Sequence, residues 1–158
     1  MLKYLNTAVT FAEFPDEISL CINITGCKIN CEGCHSSYLS KDIGEVLSLG
    51  RLQELIEANK GITLVGFMGG DSDPKEVNKL AKWVRENYPE LHVGWYSGRQ
   101  LLADNDIDID NFDWIKLGPY MKQFGPLNNP HTNQNFYKID REAHIMIWCT
   151  NLFWKEAE

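Results

Sequence analysis

Long apolar runs are missing. No stretch of the 158 residues approaches the roughly 20 that a membrane-spanning helix needs. A basic N-terminal region followed by an apolar core is also missing, so no secretory signal is expected and the cytoplasm is the expected compartment. Positive charge is scarce: 15 Lys and Arg stand against 22 Asp and Glu, a formal charge of −7. A nucleic-acid binder needs a cationic footprint, which this composition lacks. No internal repeat, low-complexity tract or linker-like change of composition is visible, which predicts a single domain over residues 1–158. What is present is ordinary for a soluble globular protein: 44% hydrophobic and 23% charged residues. A chain of this length can bury a core without a metal or disulfide to hold it.

The unusual feature is the cysteines. There are five, an odd number, and Cys27, Cys31 and Cys34 fall within eight residues. Without an export signal disulfides are disfavoured, and a metal or cluster site is the better reading. The segment runs Gly26-Cys27-Lys28-Ile29-Asn30-Cys31-Glu32-Gly33-Cys34-His35, a C-x3-C-x2-C spacing. Three thiolates on one tight loop can bind three irons of a cubane cluster, which usually takes four cysteines. A fourth iron without a protein thiolate is open to a small molecule. The competing reading is structural zinc, which prefers four closed ligands, often from two C-x2-C pairs. A second pair is absent, and Cys149 or His35 would have to complete such a site. Cys21 sits mid-strand and, like Cys149, reads as a small core residue.

Strand and helix patterns alternate along the chain. In residues 18–24, Ile18, Leu20, Ile22 and Ile24 share one face and Ser19, Cys21 and Asn23 the other. Residues 49–58 space Leu49, Leu52, Leu55 and Ile56 as a helix does, and residues 62–67 form an apolar strand. Asp73 is positioned to cap the next helix, with Pro74 first and Glu76 in a capping-box pattern. Val77, Leu80, Ala81, Val84 and Tyr88 make its apolar stripe, and Pro89 ends it. Strands are expected at residues 91–96, 114–117 and 144–149. Residues 104–110 read as a solvated acidic loop and residues 124–135 as irregular.

This alternation predicts an α/β fold with a mostly parallel sheet. Function in such sheets gathers at the carboxyl ends of the strands. Three loops leave there: the cysteine loop, Gly69-Gly70-Asp71-Ser72-Asp73, and Ser97-Gly98. A complete eight-fold barrel needs about 250 residues, so this chain is expected to build an incomplete, laterally open (β/α) barrel. Lys116 ends a strand on the same edge, either paired with a carboxylate or solvated. His92, His131 and His144 are scattered and carry no assigned role, and the five tryptophans read as core or interface.

The C-x3-C-x2-C loop just after the first core strand resembles the signature of the radical S-adenosylmethionine superfamily. Gly69-Gly70-Asp71-Ser72-Asp73-Pro74 resembles that superfamily's Gly-Gly-Glu loop, with Asp71 or Asp73 in the acidic position. Within the superfamily, four features resemble the activating proteins of anaerobic ribonucleoside-triphosphate reductases. They are the short length, Cys31-Glu32-Gly33-Cys34-His35, Gly94-Trp95-Tyr96-Ser97-Gly98, and Ile115-Lys116-Leu117-Gly118-Pro119-Tyr120 followed by Thr132-Asn133-Gln134. The likeness covers about residues 18 to 140. Two departures stand out: Phe14-Pro15-Asp16-Glu17 occupies the place of a Gly-Pro-Gly turn, and Asn135 follows Gln134 where an arginine is common.

The resemblance implies a fold, a chemistry and a partner. Cys27, Cys31 and Cys34 would hold a 4Fe–4S cluster whose fourth iron is chelated by the methionyl amino and carboxylate groups. One electron would cleave S-adenosylmethionine and yield a 5′-deoxyadenosyl radical, making the chain an oxidoreductase-type activase. Gly33, Cys34, His35, Gly69, Gly70, Asp71 and Ser97 would contact the cofactor. The protein substrate would be the reductase, on which a glycyl radical is generated, and an electron donor such as flavodoxin or ferredoxin would reduce the cluster. Two other readings stay open at this level. One is a compact radical enzyme acting on a small molecule, and the other is a metal-stabilised, non-enzymatic interaction module.

Overall fold

The computed structural model describes residues 1–26 and 44–154. The elements run β1 (Lys3–Thr10), β2 (Ser19–Ile24), β3 (Glu45–Val46), α1 (Leu49–Glu57), β4 (Leu64–Met68), α2 (Pro74–Asn87), β5 (His92–Tyr96), β6 (Trp114–Leu117), β7 (Asn135–Asp140) and β8 (Ile145–Trp148). Short 3-10 turns lie at Ile109–Asn111 and Thr150–Phe153. The strands form one sheet in the order β3-β1-β2-β4-β5-β6-β7-β8. Its ends, β3 and β8, do not pair with each other among the described residues, so the sheet is open.

The centre is parallel: β2, β4, β5 and β6 run in the same direction. The flanks are antiparallel, with β1 on β2, β3 on β1, β7 on β6 and β8 on β7. The sheet is therefore mixed rather than mostly parallel. Parallel neighbours need a crossover, which a helix can mark in the sequence, whereas antiparallel neighbours need none. The helical patterns in the sequence mark only the crossovers. Strand β1 went unseen because its burial does not alternate and Leu5 and Val9 stay exposed. Strand β7 went unseen because its two buried residues, Phe136 and Ile139, fall on opposite faces.

The helices begin where the capping chemistry dictates. Ser48 Oγ accepts from Arg51 N at 3.1 Å to open α1. Asp73 Oδ1 accepts from Glu76 N at 3.3 Å to open α2, with Pro74 in its first turn. Both helices bury their apolar stripes against one face of the parallel strands. Leu52 and Leu55 of α1 and Val77, Leu80 and Val84 of α2 join Leu20, Ile22, Val65, Phe67, Val93, Trp95 and Ile115. The acidic stretch 104–110 is not simply solvated: Ile107 is buried, and Asp108 N donates to Asn78 Oδ1 of α2 at 2.9 Å.

The opposite face is filled differently. Phe14, from the β1–β2 connection, is fully buried against Cys21, Leu64, Leu127 and Phe136. It lies over the paired residues Gly66 and Gly94 of β4 and β5. A Cβ at Gly94 would stand 2.2 Å from Phe14 Cε1, and one at Gly66 would stand 2.7 Å from Phe14 Cε2. The two glycines thus make a hollow that the ring occupies. Phe14 meets Tyr96 edge-on at 5.1 Å and Phe136 at 6.0 Å between ring centroids. Both faces of the parallel strands are covered, as such strands require.

Candidate functional site

The carboxyl ends of the parallel strands form one edge. Asn23, Met68, Tyr96 and Lys116 sit in register across β2, β4, β5 and β6. The loops beyond them are fastened together. Gly69 N donates to Tyr96 O at 3.0 Å, and Trp95 Nε1 donates to Gly69 O at 2.7 Å. Ser97 N donates to Lys116 O at 2.8 Å, and Gly118 N donates to Arg99 O at 2.6 Å.

Two adjacent glycines shape the loop after β4. Gly69 and Gly70 have φ of 112° and 98°, where a side chain is strained. A Cβ on Gly70 would also meet Val77 Cγ2 at 2.5 Å. The next residue, Asp71, turns inward and is almost fully buried. Its Oδ1 accepts from the Ser97 hydroxyl at 2.5 Å and its Oδ2 from Gly98 N at 2.8 Å. Arg99 Nη2 donates to the Asp71 main-chain oxygen at 3.1 Å, and Arg99 N donates to Ser97 Oγ at 3.1 Å. Asp71, Ser97 and Arg99 thus brace the loop after β4 against the loop after β5. Asp73 has a different job. It caps α2, is more exposed, and accepts from the N-terminal amine of Met1 at 3.2 Å.

The cysteine segment leaves the sheet beside this brace. Gly26 follows β2 with φ 77°, and a Cβ on it would lie 3.9 Å from Ser72 Oγ. Cys27, Cys31, Gly33, Cys34 and His35 themselves lie outside the described residues. Of the expected site residues, the structure brings together Gly69, Gly70, Asp71 and Ser97. Among the described residues, no group of three or more His, Cys, Asp and Glu side chains is arranged to hold a metal ion.

The two described cysteines are both unpaired thiols in the Phe14 cluster. Burial, aided by the charge of Glu13, pushes the Cys21 thiol up to about 12. Burial also raises Cys149. Lys116, read as either ligand-facing or solvated, is buried; its Nζ donates to Gly118 O at 3.0 Å and lies 5.3 Å from the centre of the Tyr96 ring. Burial likewise lifts Tyr96 well above its ordinary value, and its hydroxyl donates to Glu13 O.

Two features were missed in the sequence. Arg99 lies in an expected functional loop, but nothing in its local pattern singles it out. At the opposite end of the strands, the buried Glu17 carboxylate accepts from Thr63 Oγ1 at 3.0 Å and lies 2.6 Å from His92 Nδ1. That contact gives His92 a structural partner and fastens the start of β2 to β4 and β5.

The chain is 26% identical over 110 residues to the anaerobic ribonucleoside-triphosphate reductase-activating protein of Enterobacteria phage T4, covering 63% of this chain and 69% of that protein. No solved structure matches the chain. No described helix is long and apolar enough to cross a membrane. Residues 18–116, from β2 through β6, match the family model of the 4Fe-4S single cluster domain. That match takes in the three-cysteine segment, the Gly69–Asp73 loop and the Ser97–Arg99 loop, and covers more than half of the 158 residues. The chain therefore belongs to the 4Fe-4S single cluster domain family.

Proposed function

We propose that the protein is a radical S-adenosylmethionine activase that generates a glycyl radical on an anaerobic ribonucleoside-triphosphate reductase. The observation that carries this reading is the position of Gly26. It starts the three-cysteine segment against Ser72, within the Gly69–Asp73 loop braced by Ser97 and Arg99. A cluster on Cys27, Cys31 and Cys34 would thus lie next to a glycine-rich loop suited to a small polar ligand. The reductase as partner is the reading favoured by the phage T4 relative's name.

The chain's own residues divide the work. Cys27, Cys31 and Cys34 would hold a 4Fe–4S cluster, which would supply the electron for cleavage of the sulfonium. Gly69 and Gly70 let the backbone approach the methionyl group, and Asp71 and Ser97 hold that loop in place. Gly33 and His35 border the nucleoside, and flavodoxin or ferredoxin is the class of electron donor. On this reading the open sheet serves as an incomplete, laterally open barrel, its parallel centre β2-β4-β5-β6 carrying the site. A radical that abstracts hydrogen must be kept from water. An open sheet of this size leaves a wall to be supplied by the protein substrate. A glycine-bearing loop suits that opening, since glycine has no side chain to obstruct approach to its Cα.

The test mixes reduced protein, S-adenosylmethionine and the candidate reductase without oxygen and records electron paramagnetic resonance. The expected result is a glycyl doublet on the reductase that disappears when its target glycine becomes alanine. Turnover of a small nucleotide-like substrate without a protein partner would overturn the proposal.

A further inference from the structure

We infer that Arg99 receives the carboxylate of the bound methionyl group, an assignment that rests on the S-adenosylmethionine reading above. The backbone of Arg99 is pinned on both sides. Its N–H donates to Ser97 Oγ at 3.1 Å, and its carbonyl accepts from Gly118 N at 2.6 Å. The guanidinium lies along Asp71. Nη2 donates to the Asp71 main-chain oxygen at 3.1 Å, while Nε is 3.7 Å from Asp71 Oδ1.

That last distance is too long for a hydrogen bond. The Asp71 carboxylate is taken by shorter bonds, from the Ser97 hydroxyl at 2.5 Å and Gly98 N at 2.8 Å. Asp71 therefore orients the guanidinium without saturating its five donors. Exposure divides the pair in the same sense. The Asp71 side chain is 5% exposed and the Arg99 side chain 43%. The cation is the outward-facing half, at the edge where the cysteine segment departs. Lys116, the neighbouring cation, is turned inward onto Gly118 O and the Tyr96 ring.

A guanidinium held along one side presents its remaining N–H groups as a planar fork, which suits a carboxylate. The methionyl group carries an ammonium and a carboxylate on one carbon. The Gly69–Asp71 loop and Arg99, joined by the Asp71 brace, serve the two poles as one unit. Binding would then draw the carboxylate toward the loop after β5 and the amino group toward the loop after β4.

The experiment compares S-adenosylmethionine with its decarboxylated analogue, by anaerobic titration calorimetry on the reconstituted protein. The unsubstituted protein is expected to prefer S-adenosylmethionine. In Arg99→Gln that preference should shrink by roughly tenfold to a hundredfold, the range for a lost hydrogen-bonded charge pair. Any loss of the brace onto Asp71 weakens both ligands alike and cancels in the ratio. Arg99→Lys, which keeps the charge without the fork, should give an intermediate ratio and serves if the Gln variant fails to fold. A bracing role alone would weaken both ligands equally and leave the ratio unchanged. An unchanged ratio in a folded variant overturns the assignment, as does equal binding of both ligands by the unsubstituted protein. Binding of neither ligand by that protein would instead sink the S-adenosylmethionine reading, and Arg99 with it.

Discussion

Phe14 and Gly94 offer a test of the packing that no single substitution can match. The ring is fully buried, and truncation to alanine removes it from contact with Tyr96 and Phe136. Such deletions cost about 3–5 kcal/mol. For a chain of this size that lowers the thermal midpoint by roughly 6–20 °C. Gly94→Ala acts in the opposite direction. Its Cβ would stand 2.2, 2.5 and 2.9 Å from three carbons of the ring. The ring is rigid and enclosed, so it cannot swing aside, and overpacking of this kind costs about 1–3 kcal/mol. The two costs share one cause and should not add. In a Phe14→Ala background the clash is gone, and Ala is the better strand residue by roughly 0.5–1 kcal/mol. Gly94→Ala should then be neutral or stabilising. The assay is urea unfolding of the four proteins followed by circular dichroism, with the coupling read from the cycle. A coupling of about 1.5 kcal/mol or more is expected. If Gly94→Ala costs the same with and without the ring, the hollow is not where Phe14 sits, and the account of this face is wrong.

Three further outcomes follow from the same structure. Serine at Cys27, Cys31 or Cys34 should abolish cluster-dependent cleavage of S-adenosylmethionine, while serine at Cys21 or Cys149 should leave about four irons per chain, measured by iron assay after anaerobic reconstitution. Gly70→Ala forces a side chain to φ 98° and into Val77, so it should cost about 1–3 kcal/mol in urea unfolding and raise the dissociation constant for S-adenosylmethionine without loss of iron. The Cys21 thiol is raised from 9.0 to about 12 on folding, so the unfolded chain releases its proton first as pH rises. That contribution to stability is intact below pH 9 and is lost progressively between 9 and 12, by about 1.4 kcal/mol per pH unit. Cys21→Ala should flatten the fall in the urea midpoint between pH 9 and 10, and an unaltered slope would remove Cys21 as its source.

Much of the frame was legible because its causes are local. The alternation in residues 18–24 marks β2, since side chains on a strand change face at every residue. Asp73-Pro74 marks the start of α2, since the cap and the proline act on the first turn alone. The cysteine spacing needs no partner elsewhere in the chain to specify three thiolates on one loop. These signals, together with the three loops expected at one sheet edge, defined the candidate site, of which Gly69, Gly70, Asp71 and Ser97 lie among the described residues.

Only the tertiary structure decided how that site is held. Ser97 reaches Asp71 across 26 positions and Arg99 reaches it across 28, distances over which no periodicity carries information. The antiparallel flanks β1 and β7 are set by backbone pairing with β2 and β6, which leaves little imprint on side-chain pattern. Phe14 reads as an ordinary aromatic in a turn until Gly66 and Gly94 are brought into register beneath it. A sequence by itself determines what lies within a turn or a strand, because those forces act between near neighbours. The brace at Asp71 and the filled hollow at Phe14 exist only once assembly of the sheet brings distant residues within hydrogen-bonding or van der Waals range.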